Sequence, residues 1–324
     1  MVLKIIPFAK RAIVKDPASA GGIVREPGMK DFAGRTAFIT GGANGIGFGL
    51  ARALLAEGAK VAIADIRQDA LDEALERLDN QQAIGIKLDV ASRDDFAAAA
   101  DEAEARLGPV SLLFNNAGIN LFQTIDESTY DDWDWVLGVN LFGVINGVQT
   151  FTPRMKERNL GGHIVNTASM AGFLAGPVPG IYNCAKFAVR GLSESLRYSL
   201  APHHIGVSVL CPGLVKTHIY ASDDLRPAAL NDRGKPVDAS FNTQLAKVHE
   251  AGMEPDEVAA KTLAAIRDNK FYIFPHPEFK DELREVFDEI IADYPAGETP
   301  IERLAFERGR RENYRKARAA ARGK

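Results

Sequence analysis

The sequence predicts a doubly wound α/β fold: a seven-stranded parallel sheet with helices on both faces, plus N- and C-terminal extensions. Three observations carry that expectation. Short β-branched runs alternate with longer helix-like stretches from about Thr36 to Pro275. The short runs are nearly continuous in hydrophobicity, as strands buried on both faces must be. The stretches between them are amphipathic and end where a helix can stop: GFGLARALLAEG and RDDFAAAADEAEARLG both close on a glycine. Strand, helix and strand in such repetition build a parallel sheet with a helical cover on each side.

In chain order the expected strands are TAFIT (36–40), VAIAD (61–65), AIGIKLDV (83–90), VSLLFNNAG (110–118), HIVNTAS (163–169), IGVSVLCPG (205–213) and FYIFP (271–275). Neither a low-complexity linker nor a fixed-period repeat divides them, so residues 34–277 read as one domain. Residues 1–33 form an N-terminal extension of weak periodicity with a Gly/Pro-containing middle (PASAGG, EPG). Two helix-like stretches, roughly 278–293 and 300–320, make residues 278–324 a helical C-terminal extension. From Glu302 to Lys324 there are nine Lys/Arg against three Glu. A solvated helix face accounts for that excess, with an anion-binding or interface role as the alternative.

Composition narrows the function classes. The 324 residues are 46% apolar and 25% charged, which suits a folded soluble chain and excludes a disordered or collagen-like one. A net charge of −4 gives no global attraction to nucleic acid. Two cysteines cannot form a disulfide framework, and a reducing, cytoplasmic setting is expected. The opening MVLKIIPFAKRAIVKDP is broken by Lys4, Pro7 and Lys10, too fragmented for a signal peptide or a membrane span. Neither a nucleic acid nor a membrane is therefore an expected partner. The six histidines lack metal-ligand spacing, so no metal is expected. Cys184 and Cys211 are expected to be small buried residues, and Trp133-Asp134-Trp135 to be helix packing.

The first strand runs into Thr40-Gly41-Gly42-Ala43-Asn44-Gly45-Ile46-Gly47, and a helical pattern follows. Glycines 41, 45 and 47 permit a tight turn whose N–H groups and helix N-terminus can approach a pyrophosphate. The second strand ends in Asp65, 18 residues after Gly47, near the offset of a carboxylate that hydrogen-bonds an adenosine ribose. Such a carboxylate repels a 2′-phosphate, and Asn44 in the turn is uncharged. Both favour NAD over NADP, while Arg67 points the other way.

The 163–169 strand ends at Ser169, and Tyr182 and Lys186 follow four residues apart, on one face of a helix. Hydride transfer at a carbinol carbon needs a group that takes or gives the hydroxyl proton. A free phenol with a pKa of about 10 is a poor base near neutrality, and a neighbouring ammonium favours tyrosinate. The set TGGANGIG, Asp65, NNAG (115–118), Asn140, Ser169, Tyr182/Lys186 and Pro212-Gly213 resembles the short-chain dehydrogenase/reductase family over about residues 34–275.

That resemblance implies a Rossmann fold and a catalytic tetrad. Tyr182 is then the general acid/base, Lys186 lowers its pKa and holds the nicotinamide ribose, and Ser169 orients the substrate oxygen. Asn140 positions a proton-relay water behind Lys186. Asp89 and Val90 are implied to contact adenine, Asn116 and Gly118 to flank the cofactor, and Thr217, after Pro212-Gly213, to meet the carboxamide. A homodimer or homotetramer is implied, formed partly by the long helices before Ser169 and after Tyr182.

The substrate element is expected after Pro212-Gly213, beyond the strand ends, as a long loop of about 214–252. It holds Lys216 and Arg226 but no evident arginine pair for an anionic substrate. The segments STYDDWDWVLGVNLFGVINGV (128–148), LRPA (225–228) and FYIFPHPE (271–278), with the C-terminal helices, are similar to the Cα-dehydrogenases of bacterial lignin aryl-ether breakdown. That similarity implies NAD-dependent oxidation of a bulky, benzylic secondary alcohol. The N-terminal extension departs from that group. The alternatives are an NADP-dependent ketone reductase, a dinucleotide-binding protein without turnover, and a membrane-surface protein using the basic C-terminal helix.

Overall fold

The computed structural model describes residues 29–234 and 239–322. Residues 1–28 of the N-terminal extension lie outside them. Met29 and Phe32, by contrast, are buried in the core. The strands are β1 (Thr36–Thr40), β2 (Lys60–Asp65), β3 (Ala83–Lys87), β4 (Val110–Asn115), β5 (Gly162–Thr167), β6 (Ile205–Leu210) and β7 (Tyr272–Ile273). They form one seven-stranded sheet in the order β3-β2-β1-β4-β5-β6-β7, with every pairing parallel.

The helices are α1 (Gly45–Ala56), α2 (Gln68–Leu78), α3 (Arg93–Leu107), α4 (Tyr130–Leu137), α5 (Gly143–Arg158), α6 (Gly180–Leu200), α7 (Ala239–Glu250), α8 (Pro255–Arg267), α9 (Lys280–Ala292) and α10 (Ile301–Ala321). Successive strand residues point to opposite faces. Phe38 accordingly joins Phe96 and Phe151 on one side of the sheet, and Ile39 joins Leu50, Leu54 and Val258 on the other. Two cores on one sheet explain why all five residues of β1 are buried and why the strand reads as an unbroken apolar run.

The expected strands extended too far at their C-terminal ends: 83–90 stops at Lys87, 110–118 at Asn115, 163–169 at Thr167 and 205–213 at Leu210. The residues left over leave the ladder together, on the same edge of the sheet. Strand order reverses between β1 and β4, and that reversal opens a crevice at this edge. The 214–252 segment is more structured than a loop, with a 3-10 turn at Ile219–Leu225 and the helix α7. α10 meets α6 at one end, where Tyr198 donates to or accepts from Tyr314 at 3.1 Å and Arg197 donates to the Ala321 carbonyl at 3.3 Å.

Candidate active site

The crevice is a cleft of about 900 Å³. Its floor is the turn between β1 and α1. A Cβ on Gly47 would stand 2.1 Å from the Gly41 carbonyl oxygen, so α1 can start this close to the strand only with glycine there. Gly45 has a φ of +51°, and a Cβ on it would lie 2.8 Å from a Thr217 methyl. The N-cap residue Asn44 makes no side-chain cap, so the first N–H groups of α1 keep their capacity for an anion.

Thr40, which sequence reasoning did not single out, fixes this turn. Its hydroxyl accepts from the N–H groups of Asn116 and Ala117 at 2.9 and 3.0 Å. The Asn116 amide donates back to the Thr40 and Gly41 carbonyls at 3.1 and 3.3 Å. Asn116 therefore lines the cleft while its side chain clamps β4 to β1.

Asp65 ends β2 at the cleft edge and accepts from the Arg67 N–H at 3.3 Å. Burial raises its pKa, while the N–H groups of Arg67, Ala43 and Ile66 act the other way. The Arg67 guanidinium turns aside to form two hydrogen bonds with Asp69, at 3.2 and 2.7 Å. Asp89 and Val90 follow β3 along the same wall, where Asp89 accepts from the Ala91 N–H at 2.9 Å.

Opposite stand Ser169, Tyr182 and Lys186. A buried polar ladder aims α6 at the sheet: Asn115 donates to Asn166 at 2.8 Å, Asn166 to Ser193 at 3.0 Å, and Ser193 to the Val189 carbonyl at 2.7 Å. One turn nearer the cleft, the Lys186 ammonium donates to the Thr167 carbonyl at 3.0 Å and lies 5.2 Å from the centre of the Tyr182 ring. Burial pushes the Tyr182 phenol up to about 12, against a smaller effect of the Ser169 side chain that favours the phenolate, and the Ser169 hydroxyl donates to the Pro212 carbonyl at 3.4 Å. Burial also brings Lys186 down to about 8.

Asn140 sits at the centre of a π-turn, Gly138–Phe142, between α4 and α5. Such turns are wide and occur often at functional sites. Its side chain is tied to one residue: it accepts from the Ile119 N–H and donates to the Ile119 carbonyl, both at 2.8 Å. A Cβ on Gly118 would lie 3.3 Å from the Asn140 amide oxygen and 3.5 Å from the Lys186 ammonium, which places all three side by side.

Of the residues singled out from the sequence, Gly41, Asn44, Gly45, Ile46, Asp65, Asp89, Val90, Asn116, Gly118, Ser169, Tyr182, Lys186, Pro212, Gly213 and Thr217 all line this one cleft. Gly47 and Asn140 stand behind its wall. Cys211 is buried as expected, but Cys184 is exposed, because α6 turns that position away from the face carrying Tyr182 and Lys186.

The outer cleft is apolar, with Phe122, Ile219, Leu225, Leu230, Leu245 and Val248. Asn120, also missed from the sequence, lines it with a buried amide oxygen that has no hydrogen-bond partner. Arg226 is not an anion-binding group: it is buried against Asp132 at 2.6 Å. Among the described residues no group of three His, Cys, Asp or Glu could hold a metal, and no helix is long and apolar enough to cross a membrane.

A parallel sheet with an uncapped glycine turn at its switch point and a Ser-Tyr-Lys set facing it defines a dinucleotide-dependent oxidoreductase. Residues 35–226 match the family model described as short chain dehydrogenase, and the chain belongs to that family. It is 42% identical over 266 residues to the C alpha-dehydrogenase of Sphingobium sp. strain SYK-6, spanning 81% of this chain and 87% of that one. A short-chain dehydrogenase structure from Novosphingobium aromaticivorans is 56% identical, with a TM-score of 0.79 over 91% of this chain and 100% of that one. A family member from Burkholderia phymatum, solved with NAD, is 36% identical, with a TM-score of 0.78 over 84% of this chain and 100% of that one. The protein is thus an NAD(P)-dependent oxidoreductase of the alcohol dehydrogenase type, similar to the lignin Cα-dehydrogenases.

Proposed function

We propose that the protein transfers hydride between NAD and a bulky, benzylic secondary alcohol or its ketone. The observation that carries this reading is the meeting of Ser169, Tyr182 and Lys186 in one cleft, with the Lys186 ammonium 5.2 Å from the centre of the phenol ring. A bound nicotinamide would supply the hydride acceptor for the alcohol in its oxidised form and the hydride donor for the ketone in its reduced form. Tyr182 takes or gives the hydroxyl proton at its phenolic oxygen. Ser169 orients the substrate oxygen toward that phenol. Lys186 holds positive charge near the ring, and Asn140, tied to Ile119, keeps the segment behind Lys186 in place.

The residues present fit the cofactor. The turn is too tight for side chains at Gly45 and Gly47, and the uncapped start of α1 suits a pyrophosphate. Asp65 supports NAD over NADP, because a carboxylate accepts from ribose hydroxyls and repels a 2′-phosphate. The pairing of Arg67 with Asp69 supports the same preference. The apolar outer cleft supports a bulky substrate, and the similarity to the Sphingobium enzyme supports a benzylic one.

The test is a cofactor-reduction screen across aliphatic, steroidal and benzylic secondary alcohols with each cofactor, read at the reduced-nicotinamide absorbance. Benzylic alcohols with NAD are expected to turn over fastest, and Tyr182→Phe to lower kcat by about 10²–10⁴-fold. Turnover of aliphatic alcohols alone, or equal use of NADP, overturns the reading. Because the resting phenol stands at about 12, alcohol oxidation is expected to rise with pH while ketone reduction stays level until the phenol begins to ionise, measured as kcat/KM in both directions.

A further inference from the structure

The C-terminal helices carry a face that their own chain does not cover. On α9, Leu283, Val286, Phe287, Ile290 and Ile291 form one stripe at helical spacing, which Tyr294 continues. Only its start, at Leu283, packs on the core. Ile290, Ile291 and Tyr294 are 54%, 62% and 77% exposed, and beyond the elbow at 293–300 so are Ile301, at 84%, and Phe306, at 66%. An apolar patch of this kind on a soluble protein marks a contact surface.

Its charges identify what meets it. Arg284–Asp281, Arg310–Glu307 and Lys316–Glu312 are paired within their own helices. Among the described residues that leaves four carboxylates (Glu282, Glu285, Asp288 and Glu289) and Lys280 on α9 without an ion pair, and on α10 five arginines (Arg303, Arg308, Arg311, Arg315 and Arg318) and Glu302. One helix is acidic and the other basic, α9 carrying the apolar stripe and α10 the exposed Ile301 and Phe306, and a single chain leaves both sets unmatched. α9 is anchored where Phe279 and Leu283 reach the core, and α10 where Tyr314 and Ala321 reach α6.

We propose that this face joins two copies of the chain, with α9 of one lying against α10 of its partner and the reverse. A two-fold arrangement satisfies both helices at once, because each copy offers an acidic and a basic one. The acidic α9 in the same C-terminal extension opposes docking to an anionic membrane or a nucleic acid, although α10 alone would suit either.

Cross-linking between copies tests this directly. In a Cys184→Ser background, Ile291→Cys and Leu304→Cys are made in separate full-length chains, co-expressed and mildly oxidised. Neither chain can link its own two helices, so a covalent dimer reports contact in trans. The mixture is expected to give about tenfold more covalent dimer than either variant alone, since a shared interface raises the effective concentration of the two thiols. The yield is expected to fall in 1 M salt, where charge pairs are screened within about 3 Å. Yields equal to those of the single variants overturn the proposal. So does an internal link in a chain bearing both cysteines with none between chains, or sedimentation with anionic vesicles in place of self-association.

Discussion

Burial sets the charge states of the two residues at the centre of the cleft. The Lys186 ammonium stands at about 8, against 10.5 in an unfolded chain. Below pH 8 both states are protonated and the folded one bears the desolvation of a buried charge. Between about pH 8 and 10.5 the unfolded state holds more protons, so the Lys186 contribution makes stability rise with pH. Lys186→Met is therefore expected to be more stable than the wild type at pH 7 by about 2 kcal/mol, even after losing the hydrogen bond to Thr167, and no more stable above pH 10.5. Urea unfolding at the two pH values checks it, and absence of a gain at pH 7 contradicts the burial argument. Asn120 extends this logic to the substrate end. Its buried amide oxygen without a partner costs about 1–3 kcal/mol, so Asn120→Leu is expected to raise the melting temperature and lower kcat/KM. An unchanged kcat/KM means that this oxygen meets no substrate. Tyr182 and Lys186 were legible from their four-residue spacing. Asn120 was not, because only the folded chain reveals that its oxygen lacks a donor.

At the scale of elements, the 214–252 segment is latched to α4 by one ion pair. Arg226 donates to Asp132 at 2.6 Å and to the Leu230 and Asp232 carbonyls at 2.6 and 2.9 Å. Asp132 also accepts from the Thr129 and Gly234 N–H groups at 2.9 and 3.1 Å. Removing one partner strands a buried charge, a loss of about 3–5 kcal/mol. Arg226→Met is thus expected to raise KM more than it lowers kcat, and to speed proteolytic cleavage within residues 214–252 while the sheet stays intact. Mass spectrometry of the early fragments reads the outcome, and cleavage spread evenly over the chain counts against a local latch. The strands and helices were legible because period and burial are local properties. The latch was not, because its partners stand 94 residues apart and nothing nearby marks Arg226 as buried. The π-turn at Asn140 was hidden too: one extra residue in a helical turn leaves the surrounding apolar pattern readable as ordinary helix.

At the scale of the whole molecule, the cleft exists only when β1, β2, β4, β5 and α6 are assembled, so a cofactor that binds there binds the folded state alone. At a hundredfold excess over its Kd such a ligand stabilises by about 2.7 kcal/mol. The glycine turn and Asp65 were legible because phosphate and ribose recognition depend on a strand, a turn and a helix in fixed sequence order. The proposed preference for NAD rests on a distribution of charge that only the fold completes, with Arg67 drawn onto Asp69 and Asp65 left facing the cleft. NAD is accordingly expected to raise the melting temperature by several degrees, and NADP at equal concentration by less, since its 2′-phosphate meets the Asp65 carboxylate. In Asp65→Ser the carboxylate is gone while a hydroxyl can still bond a ribose. The two shifts should then converge, through a smaller NAD shift and a larger NADP one. Differential scanning fluorimetry of both proteins with both cofactors distinguishes the cases. If NADP protects the wild type as well as NAD does, Asp65 is not the residue that chooses between them.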